Sequence, residues 1–308
     1  MSRIHEALQR ADRERKSAPA VIDIPVDRPE IDSGFRELLH GDAEVDLDNI
    51  TRHPWTPSTI SLPTLYDRGA AVEQFRSLRS HIFQARYEAP LKTILVASGM
   101  PSEGKSFIAA NLAISLARNS IHNILLIDGD LRRPTLHTLL GAPNSPGLSD
   151  YLEGTANLDD ILQRDRSPEH ADNGSAGSIS NLTFIPSGQS SDHSSELVAN
   201  HRMEELIASV SSFFDWILID APPVLAVTDA VDLARAADAV LLVARGANTP
   251  YEVAQRTKAA FNNSRILGFV LNAVKQAPHA GTYNYNYYYG ESEAGGRTNR
   301  QKDNGRQG

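Results

Sequence analysis

The sequence predicts an α/β fold, a three-layer sandwich in which helices cover both faces of a mostly parallel central sheet. Apolar runs of strand length recur along the chain, and helical patterns at 105–119, 196–211, 228–237 and 250–262 separate most of them. Continuous apolar strands are typical of a parallel sheet that is buried on both faces. The runs are KTILVAS (92–98), NILLIDGD (123–130), LTFIPSG (182–188), WILIDAPP (216–223), DAVLLVARG (238–246) and ILGFVLNAV (266–274).

Composition divides the chain into four parts. Residues 1–18 predict an amphipathic helix with Ile4, Ala7, Leu8 and Ala11 on one face, although a frayed charged terminus fits the same residues. Residues 19–64 predict an acidic, proline-containing linker, since residues 21–50 hold nine acidic side chains against two basic ones. We expect residues 65–275 to form the α/β domain and residues 276–308 a flexible, tyrosine-rich tail.

The bulk composition excludes several classes of protein. With 41% hydrophobic residues and no apolar run of the ~18–20 residues that span a bilayer, the chain resembles a cytoplasmic protein. The N-terminus has no apolar core of a secretion signal. The absence of cysteine excludes disulfides and thiolate chemistry. A net charge of −8 argues against broad nucleic-acid binding, so we expect no nucleic-acid partner.

A phosphate-binding loop is predicted directly after the first apolar run. GMPSEGKS (99–106) matches G-x-x-x-x-G-K-[ST] and lies between a predicted strand and a predicted helix, where this motif occurs in P-loop NTPases. Such a loop points backbone N–H groups at phosphate, its lysine reaches the outer phosphates and its serine hydroxyl binds Mg²⁺. A glycine-containing turn with an incidental lysine is the alternative. The candidate nucleotide-binding residues are Gly99, Met100, Pro101, Ser102, Glu103, Gly104, Lys105, Ser106 and Phe107.

Three aspartates follow two further apolar runs. Asp220 ends a predicted strand, where ligands gather in open α/β sheets, and it suits Mg²⁺ held through water. Asp128 and Asp130 would point to one side if strand geometry continued to Asp130. One carboxylate could then serve the metal and the other accept a proton. The alternative is a plain helix or turn cap for Asp220, and an Asx turn that closes the strand for Asp128 and Asp130.

Five of the nine tyrosines lie within seven positions of the predicted tail. This cluster could be an aggregation-prone β segment, a binding patch or a substrate. The tyrosines are Tyr283, Tyr285, Tyr287, Tyr288 and Tyr289.

The motifs together resemble those of a known family. ASGMPSEGKSFIAANLA, ILLIDGDLRRP and ILIDAPP, followed by the tyrosine-rich tail, resemble the bacterial protein-tyrosine kinases of capsule and exopolysaccharide synthesis. The resemblance implies a P-loop kinase domain that uses ATP and Mg²⁺ to phosphorylate the tail tyrosines of a neighbouring copy, regulating polymer assembly and export. It also implies a ring-shaped homo-oligomer, a cognate phosphotyrosine phosphatase, and a membrane adaptor of the chain-length-determinant type. The adaptor would hold a cytoplasmic chain at the inner face of the membrane.

The resemblance also assigns roles to single residues. It implies that Asp128 is the base that receives the tyrosine proton, and that Lys105 neutralises the charge on the transferred phosphoryl group. Ser106, Asp130 and Asp220 would organise Mg²⁺, and Asn272 would contact the adenine. Glu73, Arg76 and Arg79 match a family pattern of subunit contacts, although an exposed helix with an internal Glu–Arg pair fits the same spacing.

The chain departs from the family pattern at Ser102 and in the stretch PSGQSSDHSSELV (186–198), which is more polar than usual, and two rival functions remain open. Ser102 occupies a loop position where family members commonly have glycine, so that position loses backbone freedom. One rival is an ATPase of the partitioning or cell-division class (ParA/MinD-like). That class usually has a lysine where this chain has Met100, and it gives no reason for the clustered tyrosines. The other rival is a non-catalytic, nucleotide-binding scaffold of an export complex.

Overall fold

The computed structural model describes residues 49–118, 122–166, 179–190 and 193–274. The predicted helix at 1–18 and the tyrosine-rich tail at 276–308 lie outside these residues. Within them there are eight strands: β1 (Thr51–His53), β2 (Thr93–Ser98), β3 (Ile124–Asp128), β4 (Gln163–Asp165), β5 (Leu182–Ile185), β6 (Trp216–Asp220), β7 (Ala239–Arg245) and β8 (Ile266–Asn272). They form one sheet in the order β1-β4-β5-β3-β6-β2-β7-β8.

The sheet is mostly parallel, as predicted. Of the strand pairs in the described ranges, β4 with β5 is antiparallel and the others are parallel. The six predicted apolar runs became β2, β3, β5, β6, β7 and β8.

Helices cover both faces and complete the three layers. Along β2, Ile94 and Val96 belong to one hydrophobic cluster, whereas Leu95 and Ala97 belong to another on the opposite face. The helix predicted at 196–211 is two helices. The helices are α1 (Ala70–Glu88), α2 (Lys105–Arg118), α3 (Leu136–Leu140), α4 (Leu148–Glu153), α5 (Leu158–Ile161), α6 (Ser194–Ala199), α7 (Arg202–Val210), α8 (Asp229–Leu233) and α9 (Tyr251–Ala260), with 3-10 turns at Pro63–Leu65 and Ala234–Ala236. In the described ranges no helix combines the length and the apolar character that crossing a membrane requires.

The predicted linker ends too late, because residues 49–64 belong to the folded domain. Strand β1 pairs with β4, and the side chains of Trp55 and Leu62 are buried. The Trp55 ring packs edge-on against Phe184 at 6.1 Å, and its Nε1 donates a hydrogen bond to Gln163 Oε1 at 3.3 Å. The prolines of this segment are therefore compatible with a fixed, extended course across the domain.

The sheet brings the predicted site residues to one edge. Because β2, β3 and β6 run parallel, the loop after β2 and the last residues of β3 and β6 all lie at their carboxyl ends. Asp128 and Asp220 are paired residues of adjacent strands. This is where the sequence predicted the site.

Candidate active site

The loop between β2 and α2 adopts a conformation that requires unusual backbone angles. Gly104 has φ of 95°, and a Cβ there would lie 2.0 Å from Asn272 Nδ2. Ser102 has φ of 63°, in the left-handed region that glycine occupies without strain. The departure from the family at Ser102 therefore falls on a position where the backbone favours glycine.

Not every predicted loop residue can offer an amide to phosphate. The Met100 N–H donates to Glu103 Oε2 at 2.7 Å, and Pro101 has no N–H. The available donors are therefore those from Ser102 onward and at the start of α2, where the helix dipole is also favourable to an anion.

A cavity of about 430 Å³ opens beside this loop. It brings part of the phosphate loop together with residues after β3 and β6. Asp130 lines it, whereas Asp128, Asp220 and Asn272 do not. The lining residues are Pro101, Ser102, Gly104, Lys105, Ser106, Phe107, Asp130, Arg132, Arg133, Thr135, Pro222, Pro223, Ala226 and Val227.

Lys105 forms an ion pair with Asp130, with 3.0 Å between Nζ and Oδ2. Burial lowers the pKa of Lys105, but the negative charges of Asp220 and Asp130 outweigh burial and leave the pKa above its usual value. Lys105 therefore stays charged, and it lies at the cavity wall where an outer phosphate would be bound.

Asp128 is fully buried and holds the segment that follows β3. Its Oδ2 accepts hydrogen bonds from Thr135 N at 3.2 Å and Leu136 N at 3.0 Å, and its Oδ1 accepts one from Asp130 N at 3.3 Å. Burial raises the pKa of Asp128 well above its usual value, and the charge of Asp220 raises it further. Its assignment as the base stays a prediction: the raised pKa suits a base, but its oxygens are occupied by backbone donors.

Asp220 is a buried carboxylate that no backbone N–H satisfies. In the described part of the chain neither of its oxygens has a donor in regular hydrogen-bond geometry, and the side chain has no exposed surface; the Ser106 hydroxyl is close enough to act on it. Burial raises the pKa of Asp220 to about 6, although Lys105 and Ser106 act to lower it. A buried acceptor without a donor is rare in folded proteins and indicates a group that is completed by a ligand.

These residues fit a magnesium ion that is held together with phosphate. Among the described residues no three His, Cys, Asp or Glu side chains converge into a metal site of their own. Mg²⁺ usually takes one or two carboxylates, water and substrate phosphates as ligands. Asp220, Asp130 and the Ser106 hydroxyl supply oxygen ligands of that kind, and no backbone N–H competes for the oxygens of Asp220.

Asn272, predicted to contact adenine, supports the loop in this structure. Its Nδ2 donates to Glu103 O at 2.9 Å, and its Oδ1 accepts a hydrogen bond from Ala273 N at 2.8 Å. Both ends of the amide are therefore engaged with the chain.

The arginines after Asp130 were not assigned a role from the sequence. Arg132 Nε donates to Asp229 Oδ2 at 3.0 Å, and Arg132 Nη2 donates to Ser195 Oγ at 2.7 Å, which fixes this wall of the cavity. Arg133 donates its backbone N–H to Asp130 Oδ1 at 3.0 Å, and its exposed side chain lines the cavity. Two adjacent arginines, two and three residues after a candidate metal ligand, were the available signal.

The predicted subunit-contact residues lie on α1. Arg76 pairs with Glu73 and donates to Asp67 O at 2.7 Å. Arg79 Nη1 instead donates to Ser115 O at 2.6 Å, which ties α1 to α2 within one chain. The subunit contact stays a prediction for Glu73 and Arg76, which are the more exposed members, whereas Arg79 already has an intramolecular role.

A parallel sheet whose first long strand leads into a phosphate loop and helix defines a P-loop nucleotide-binding protein. A family model described as an AAA domain matches residues 91–252. The chain is also 34% identical over 218 residues to the tyrosine-protein kinase YwqD of Bacillus subtilis, covering 70% of this chain and 85% of that relative. The chain belongs to the bacterial tyrosine-protein kinase family.

Longer relatives and a solved structure agree with this assignment. The chain is 36% identical over 220 residues to the tyrosine-protein kinase wzc of Salmonella typhimurium; the match covers 71% of this chain and 29% of that relative. The kinase domain of the Escherichia coli tyrosine kinase ETK superposes with a TM-score of 0.63 at 30% identity, covering 76% of this chain and 88% of that structure. The family membership decides against the partitioning-type ATPase as the class of this chain.

Proposed function

We propose that this chain is an ATP- and Mg²⁺-dependent protein-tyrosine autokinase whose acceptors are its own C-terminal tyrosines. The observation that carries the proposal is the fully buried carboxylate of Asp220, which no backbone N–H satisfies, beside Lys105 and Ser106 at the phosphate loop. Most buried structural aspartates are satisfied by donors of the protein, whereas one that helps to hold a magnesium nucleotide is completed when the ligand binds.

The residues divide the work of phosphoryl transfer between them. Backbone N–H groups from Ser102 onward and Lys105 bind and neutralise the phosphates, and Ser106, Asp130 and Asp220 hold the metal. When bound, Mg²⁺ supplies charge neutralisation for the phosphates. We assign the tyrosine proton to Asp128, because burial and the charge of Asp220 raise its pKa and so strengthen it as a proton acceptor.

The proposed acceptors are the five tail tyrosines, all outside the described residues. Clustered tyrosines in a glycine-flanked segment can reach a second copy, which supports transfer between chains. Each phosphate adds about −1.5 to −2 charges, so a modified, already acidic chain would oppose close subunit packing. We propose a homo-oligomer (a ring, by the resemblance) that phosphorylation disassembles and a cognate phosphatase restores.

The resemblance also supports a proposal for the cellular process and the location in which the kinase acts. We propose that the chain acts in capsule or exopolysaccharide polymerisation and export, bound to a chain-length-determinant type of adaptor at the inner face of the membrane. A non-catalytic scaffold would share the nucleotide site, so catalysis must be tested directly.

Incubation of the purified full chain with Mg²⁺ and ATP, followed by phosphotyrosine detection and site mapping, tests the proposal. We expect label in wild type and its loss when all five tail tyrosines are changed to Phe. Tyr87→Phe with Tyr251→Phe is the matched control, because these tyrosines are 92% and 72% exposed on the domain. Label that survives the five-fold change, or that disappears in the control, would show that the tail is not the acceptor.

Transfer between chains is tested by mixing two inactive halves. One chain carries Lys105→Met with an intact tail, and the other carries an intact site with the five tyrosines changed to Phe. Label on the first chain supports transfer in trans. An unlabelled mixture, alongside labelled wild type, would contradict it. No label in wild type with the adaptor's cytoplasmic fragment present would instead favour the scaffold.

A further inference from the structure

The phosphate loop is supported from a side that does not line the cavity. Arg245 at the end of β7, Thr249 just before α9 and Asn272 at the end of β8 all contact the loop, yet none of them lines the cavity. We propose that Thr249 is a positioning residue for nucleotide binding, acting through Glu103 to hold the loop amides toward the phosphates. This inference rests on the proposed function and adds a residue that does not contact the nucleotide.

The Thr249 hydroxyl joins the end of β7 to the loop. It accepts a hydrogen bond from Arg245 N at 2.8 Å and donates one to Glu103 Oε1. The Glu103 side chain is buried, and its other oxygen accepts the Met100 N–H at 2.7 Å. The two carboxylate oxygens of Glu103 are therefore shared between the loop itself and Thr249.

Two backbone carbonyls of the loop are anchored from the same side. Arg245 Nη1 donates to Ser102 O at 3.1 Å, and Asn272 Nδ2 donates to Glu103 O at 2.9 Å. In a planar trans peptide the N–H of the next residue points opposite to the carbonyl. Holding these carbonyls toward β7 and β8 therefore turns the N–H groups of Glu103 and Gly104 the other way, toward the cavity.

Thr249 matters because Glu103 lies at the centre of this support. Without the hydroxyl, a buried carboxylate would lose one donor, and its side chain and adjoining peptides would be free to rearrange. Ser102 already has a left-handed backbone at φ of 63°, so the loop has a local preference to relax. The predicted consequence is weaker nucleotide binding with little change in the rate of the bound complex.

The test compares Thr249→Val with Thr249→Ser, which restores the hydroxyl. Thr155→Val is the matched control: it removes a hydroxyl hydrogen bond to Asp150 O at 3.0 Å, among residues that neither line the cavity nor contact the loop. Mg-ADP affinity of the full chain is measured by calorimetry, and KM for ATP and kcat by autophosphorylation, well below the thermal midpoint of each variant.

We expect Thr249→Val to raise the Kd for Mg-ADP and the KM for ATP about tenfold, with kcat within about twofold, as for a buried charged acceptor that loses one donor. Thr249→Ser should bind within about twofold of wild type, as should Thr155→Val. Unchanged Kd in Thr249→Val, an equal loss in Thr249→Ser, or a loss confined to kcat would each overturn the inference. Wild type that binds no Mg-ADP would overturn the proposed function and this inference with it, whereas a normal wild type with a normal valine variant would overturn the inference alone.

Discussion

Replacement of Asp220 by Asn tests the electrostatics of the site before any catalysis is measured. The carboxylate is fully buried with no donor in regular hydrogen-bond geometry, and burial raises its pKa from the usual 3.8 to about 6. Since the folded protein binds this proton more tightly than the unfolded chain, the contribution of Asp220 to stability is greatest below pH 3.8 and is lost as the pH rises through 6. In the absence of nucleotide and metal, the ionised Asp220 therefore destabilises the protein.

The size of the effect follows from the shift in pKa. A difference of roughly two units corresponds to about 3 kcal/mol of unfolding free energy, and about half of it falls between pH 5 and pH 8. Asp220→Asn removes this loss, and it also removes the charge that raises the pKa of Asp128. Between pH 5 and pH 8, the unfolding free energy of wild type should therefore fall by at least about 1.5 kcal/mol more than that of Asp220→Asn.

Urea unfolding of the metal-free full chain at pH 5, 6.5 and 8 measures this difference. Asp229→Asn is the matched control of opposite sign. Burial alone would raise the pKa of Asp229, but the hydrogen bonds from Ser195 and Arg132 lower it. The ionised Asp229 therefore stabilises the folded protein above the pKa that this group has in the unfolded chain, and this stabilisation is lost toward acid pH. Its replacement by Asn should destabilise the protein at every pH from 5 to 8. If wild type and Asp220→Asn show equal slopes from pH 5 to pH 8, the reasoning is wrong.

Two further predictions separate roles that the sequence grouped together. Asp128→Asn should lower the autophosphorylation kcat by about 10²-fold or more and leave Mg-ADP affinity within about threefold of wild type, whereas Asp130→Asn should weaken Mg-ADP binding itself. Calorimetry measures the binding of each variant and the kinetic assay measures its kcat. Equal binding defects in the two variants would refute Asp128 as the base. Arg79→Ala should cost about 1–2 kcal/mol in urea unfolding because the partly buried Ser115 O loses its charged donor. Arg76→Ala should cost less than about 0.5 kcal/mol, because its partners Glu73 and Asp67 are exposed and solvent screens these contacts. Light scattering of Arg76→Ala then tests the subunit contact, and an unchanged mass distribution would contradict it.

The sequence predicted the strands that are apolar and missed those that are not. The core strands, such as Thr93–Ser98, are apolar over most of their length, so their burial follows from their own side chains and not from particular polar groups elsewhere in the chain. Strand β4 consists of Gln163, Arg164 and Asp165, all buried, and no local pattern predicts that. Their burial depends on distant donors and acceptors: Trp55 donates to Gln163 from 108 residues away in sequence, and Arg164 Nε donates to Thr183 Oγ1 at 2.8 Å. Residues 49–64 were misassigned for the same reason.

The phosphate loop could be predicted because its spacing is local, but the arrangement of the aspartates could not. Strand geometry continued to Asp130 would have placed both carboxylates on one side, yet β3 ends at Asp128. Gly129 donates its N–H to Asp220 O at 2.8 Å, and a Cβ at Gly129 would lie 2.8 Å from that same oxygen. The chain can therefore turn against β6 only with glycine at this position. That turn directs Asp130 to Lys105 at the cavity wall and leaves Asp128 inside, so one glycine between two aspartates separates a metal-binding candidate from a buried base candidate.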